Sequence, residues 1–142
     1  MGSSGSFGYS PSILVLSVSG GSASNLAQST SQAVSFPGSS SSLWDGTTLT
    51  VQEDGLYLVI ASGIFSLPSE SVNSVGDVRL LFDNRIVCRE VETVKHTSQT
   101  RSGSFVFSRN AGDFLSLAAW ASFQGSATYS IASASLSVFK VR

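Results

Sequence analysis

Charge is scarce in this chain. Asp, Glu, Lys and Arg make up 12% of its 142 residues, about half the usual share. The formal balance is -1, which removes any global attraction for a phosphate backbone and excludes nucleic acid as an expected partner. Cysteine is represented by Cys88 alone, so no intramolecular disulfide can form. The fold is therefore not expected to need an oxidising compartment. Within an apolar strand, Cys88 reads as a small core hydrophobe. With one histidine, His96, beside that one cysteine, there is no zinc constellation. Nor is there a set of nucleophile, base and orienting carboxylate, so an enzyme is not expected. His96 lies in VKHTSQT, which reads as a solvated loop. The basic segment and apolar run of a signal peptide are missing, and no apolar stretch approaches a membrane span. Gly20-Gly21 follows a strand but opens no helix, so it is not a phosphate loop. These absences predict a soluble protein folded inside a cell, with no cofactor and no membrane or nucleic-acid partner.

What is present is apolar surface in period two. Hydrophobic residues reach 42%, enough for one domain with a real core. No amphipathic helix of useful length appears, whereas β-branched and aromatic residues alternate between turn signals. The expected strands are Ser12–Ser19, Gln32–Phe36, Thr48–Gln52, Gly55–Phe65, Asp77–Phe82, Arg85–Glu92, Ser102–Ser108, Phe114–Ser122 and Tyr129–Val141. Asp83-Asn84 marks a tight hairpin. Roughly eight to ten short strands without helices predict an all-β antiparallel sandwich or jelly roll. Residues 1–11 form an uncharged arm ahead of a single domain over 12–142, and the first ionisable side chain is Asp45. The opening MGSSGS reads either as a fusion remnant or as the start of a native arm; the native arm is the reading taken.

One strand raises a question. In GLYLVIASGIF, Gly55 to Phe65, one face carries Leu56, Leu58, Ile60 and Ile64, and the other carries Tyr57, Val59, Ala61 and Phe65. An antiparallel sheet commonly keeps one face wet, yet both faces here are apolar. In FLSLAAWAS, Phe114, Ala118 and Trp120 share one face, and Leu115, Leu117, Ala119 and Ala121 the other. An apolar patch of that extent on a monomer marks an interaction surface, and the simplest cover is another copy of the chain.

The segment WDGTTLTVQEDGLYLVIASGIF, Trp44–Phe65, resembles the tumour necrosis factor-like and complement globular-head superfamily. LLFDNR, NAGDFLSL and the closing strand Ala132–Val141 follow in the same order as in that superfamily. The resemblance spans roughly Ser12 to Arg142. It implies a compact two-sheet jelly roll, three copies around a threefold axis, Tyr57 pointing towards that axis, and Leu56, Leu58 and Ile60 in each subunit's own core. The region corresponding to the family's usual aromatic-glycine pair reads SASLSVF here.

From these readings Tyr57, Val59, Phe65 and Trp120 are expected to seal a homotrimer. The expected function is a non-enzymatic bacteriophage virion protein, a capsid decoration protein or short head-fibre knob, assembled in the host cytoplasm. Its arm, Met1 to Ser10, with Phe7 and Tyr9 as anchors, would dock on the major capsid lattice. The alternative is a receptor- or glycan-binding head of a tail fibre or bacterial surface protein, using the loops Pro68–Gly76 and Thr93–Thr100. Asp45, Glu53 and Asp54 offer oxygen ligands of the type calcium takes, but their spacing matches no EF-hand loop, and their ordinary reading is as turn residues at the ends of strands. Arg79, Arg85, Arg89, Lys95 and Arg101 alternate with Asp77, Asp83, Glu90 and Glu92, a pattern expected to give surface ion pairs and guarded sheet edges.

Overall fold

The computed structural model describes residues 12–38 and 40–142. The chain forms β1 (Ile13–Leu26), β2 (Gln32–Ala33), β3 (Thr48–Thr50), β4 (Gly55–Ser66), β5 (Val75–Phe82), β6 (Arg85–Thr93), β7 (Ser98–Arg109), β8 (Phe114–Ser122) and β9 (Tyr129–Lys140). A 3-10 turn at Ser69–Ser71 is the one helical piece among the described residues. The first sheet runs β1-β9-β4-β7; the second runs β2-β8-β5-β6, with β3 also paired to β8. The pairings are antiparallel. The protein is thus an all-β two-sheet sandwich, as the strand pattern predicts.

The turn chemistry places the strands. Asp83 and Asn84 have φ of +53° and +60°, the geometry of a type I′ hairpin, whose twist matches that of the flanking strands. The Asp113 carboxylate accepts the Asn110 N–H at 3.0 Å and helps set the turn into β8. Strand β1 runs well past the predicted Ser19. Its register shifts between Ser19 and Gly21 and again before Leu26, and Gly20 takes φ +71°, so the Gly-Gly pair is a bulge within a bent strand. Strand β7 starts at Ser98, ahead of the predicted Ser102, because Ser98–Arg101 pair with Gly63–Ser66 of β4. That long-range pairing outweighs the polar character of SQTR.

The core lies between the sheets. Tyr57, Val59, Ala61 and Phe65 of β4 meet Leu115, Leu117, Ala119 and Ala121 of β8, and all eight are buried. Aromatic pairs fill this layer: Tyr57 with Phe107, Phe65 with Tyr129, and Phe36 edge-on to Trp44. Burial holds the Tyr129 phenol up at about 12. The sequence-based orientation of β4 is therefore reversed. Tyr57, Val59 and Phe65 lie inside the subunit, and Ile60 and Ile64 are exposed. A strand apolar on both faces gives no period-two signal of which side is inward. Packing decides: a Cβ at Gly63 would come within 2.6 Å of Ile131, so the face carrying Ala61 and Gly63 is the one pressed against neighbouring side chains.

Candidate functional site

The outward face of the first sheet follows from that register. On β4 it presents Leu56, Leu58, Ile60, Ser62, Ile64 and Ser66. Their partners on β7 are Ser108, Val106, Ser104, Ser102, Thr100 and Ser98. On the other side, Phe139, Ser137 and Ser135 of β9 sit beside Leu58, Ile60 and Ser62. Ser62 and Ser135 share a hydrogen bond of 2.7 Å. None of the chain's 8 basic or 9 acidic residues occupies these positions. The surface is apolar towards the start of β4 and hydroxyl-rich towards its end. Ile60, Ile64 and Val106 are exposed at 46%, 36% and 53%.

The outward face of the second sheet is charged. Arg79 and Arg89 both bind the Asp77 carboxylate through paired hydrogen bonds of 2.8–3.2 Å. The bonds from Arg79 lead in holding its carboxyl down at about 2; burial opposes them, and Arg89 adds to them. The Arg79 guanidinium lies 3.9 Å above the Trp120 ring, a cation–π stack. Arg109 pairs with Asp83. Arg101 is buried at 3% exposure and stands 3.9 and 4.0 Å from Glu90 and Glu92. The ladder of alternating charges is thus largely paired on the structure, and Arg79 points outward.

Two of the three carboxylates considered for calcium, Asp45 and Asp54, have other work. Asp45 Oδ1 accepts the Thr48 and Thr47 N–H groups at 2.7 and 2.9 Å, and these bonds hold its carboxyl below the usual range. Asp54 Oδ1 accepts the Ala111 N–H at 2.8 Å. The carbonyl of Glu53 accepts the Tyr57 hydroxyl at 2.5 Å. No group of three potential metal-ligating side chains forms among the described residues.

Comparison with known proteins places this architecture. No protein-family model matches the sequence. No curated protein matches it. Solved structures do. Eiger TNF from S. frugiperda superposes with a TM-score of 0.55 at 14% identity over 94% of both chains. The globular domain of zebrafish complement 1qA gives 0.51 at 14% identity over 89% of this chain and 97% of its own. The fold is that of the tumour necrosis factor-like and complement globular-head jelly rolls. A chain of the T13 IBDV viral particle carries a similar jelly roll, with a TM-score of 0.55 and 12% identity over 94% of this chain. This protein spans only 32% of that longer chain.

Within this jelly roll the four residues expected at the trimer seal do not share a surface. Tyr57, Val59 and Phe65 are core residues. Trp120 lies beneath Arg79 on the opposite sheet. Leu56, Leu58 and Ile60, expected inside, line the outward face instead. The sequence does hold the signal that separates the faces of β4: Ser62 and Ser66 share the parity of Leu56 to Ile64, whereas Tyr57 to Phe65 includes no serine. Phe7 and Tyr9, the expected docking anchors, lie outside the described residues.

Proposed function

We propose that this chain is a non-enzymatic structural head domain that assembles as a homotrimer through the outward face of β1-β9-β4-β7. The observation carrying this reading is the lack of any charged residue on that face, although the opposite sheet presents paired arginines and carboxylates. Water solvates charged side chains well, so a surface held permanently in solvent has no reason to exclude them. A surface buried against a copy of itself does, because each buried charge needs a partner. The family resemblance supplies the number three.

The finer reading is a virion protein exposed on a capsid: a decoration protein or short head-fibre knob of a bacteriophage, held to the major capsid lattice by residues 1–10. The similarity to part of a viral-particle chain supports a virion setting. Three arms on one trimer would engage the lattice together, so modest single contacts would sum through effective concentration.

Ile60→Asp tests the interface. The variant is expected to keep its far-ultraviolet signature and to sediment as a monomer where the parent sediments as a trimer. A parent that sediments as a monomer, or an Ile60→Asp variant that remains trimeric, removes this face from the assembly. Deleting residues 1–10 tests the virion reading separately: capsid binding should disappear while the trimer persists.

A further inference from the structure

We infer that the cleft between the end of β6 and the start of β7 is a binding site for a neutral, hydroxyl-rich ligand, a saccharide. The cleft has a volume of about 350 Å³, at the lower end of the range for small-molecule sites. Its floor is Arg101, exposed at 3%. A buried guanidinium needs acceptors for five N–H donors. Here it makes one short bond, to the Thr100 carbonyl at 2.9 Å. Its contacts to the Val78 carbonyl and to Gln99 Oε1 are long, at 3.5 and 3.4 Å. The carboxylates of Glu90 and Glu92 stop at 3.9 and 4.0 Å, beyond hydrogen-bond range.

Those carboxylates are about half exposed, so they are free to swing aside and admit a ligand hydroxyl to the guanidinium beneath them. A hydroxyl seated there would accept from Arg101 and donate to Glu90 or Glu92, because each hydroxyl is both donor and acceptor. Gln99 is already oriented for this. Its Nε2 donates to the His96 carbonyl at 2.6 Å, which turns Oε1 towards the guanidinium. Lys95 completes the rim. Two cations and two carboxylates cancel, so an ion of either sign gains little here, while a neutral polyol finds donors and acceptors in alternation. The inference does not depend on the trimer.

The test is a titration of the isotope-labelled full chain, followed by amide chemical shifts, with the methyl α-glycosides of glucose, galactose, mannose and fucose. At least one should shift amides within residues 90–101 with a dissociation constant on the order of 1 mM, the range a dozen heavy atoms can reach. Glu92→Ala should weaken that binding about tenfold with the melting temperature unchanged; Gln99→Ala should weaken it as much and also lower the melting temperature, because Gln99 Oε1 accepts from the buried guanidinium. Arg101 is too buried for its own substitution to be informative. The inference is overturned if none of the four sugars moves those amides, or if the shifts persist undiminished in both variants. Sedimentation of the same samples reports the trimer independently, so failure of the site and failure of the assembly are distinguishable.

Discussion

Asp77, bound by both Arg79 and Arg89, has its carboxyl held down at about 2. Its value of about 2 lies below the unfolded 3.8, so its contribution is complete above the unfolded value and is lost as pH falls towards 2. Both arginines are partly solvated, which limits the term to about 1–2 kcal/mol. Denaturant unfolding of the parent and Asp77→Asn should show a stability gap that is constant down to about pH 5 and closes below about pH 4. A gap independent of pH would mean that the carboxylate is not the source. Gly21 offers a second test. A Cβ there would stand 2.5 Å from the ring of Phe36, which is fully buried and has nowhere to retreat. Gly21→Ala should cost roughly 1–3 kcal/mol in the same assay, as overpacking does. Alternating charge made ion pairing by Asp77 legible in the sequence, and Arg79 lies two residues from it on one strand; the contacts from Arg89 to Asp77 and from Gly21 to Phe36 exist only once separate segments are paired.

At the scale of elements, the hairpin between β5 and β6 and the spans of β4, β8 and β9 were readable, because turn residues bracket clean runs of strand formers. The β1 strand was not, since Gly20-Gly21 punctuates a sequence through which the backbone nevertheless continues as a bulge. The inward face of β4 carries no clear period-two signal either. Composition made the two faces nearly equal, and the two serines that distinguish them weigh little beside four apolar neighbours. The hairpin permits a direct check. Asn84 adopts φ +60°, which glycine accepts at no steric cost, so Asn84→Gly should raise the melting temperature slightly, while Asn84→Val should lower stability by about 1–2 kcal/mol. If valine is tolerated there, the hairpin does not need its left-handed turn. Asp83 should be left in place in both variants because it pairs with Arg109.

For the whole molecule, strand pairing also fixes a direction. Ile13 pairs with Lys140, and the Arg142 carbonyl accepts the Leu56 N–H at 2.9 Å, so both ends of the domain emerge at the pole where β4 begins. The cleft over Arg101 lies at the other pole, where β4 ends and β7 begins. A protein fused beyond Arg142 therefore leaves from the side away from the cleft. A fluorescent protein fused to Arg142 should leave saccharide titration unchanged, whereas a two-residue insertion at His96 should abolish it; interference by the fusion would show that the poles are not separate. The β1-β9 pairing thus gives the molecule a polarity, with Ile13 and Arg142 at one pole and the cleft at the other, so that three copies set in parallel would display three identical clefts on one side.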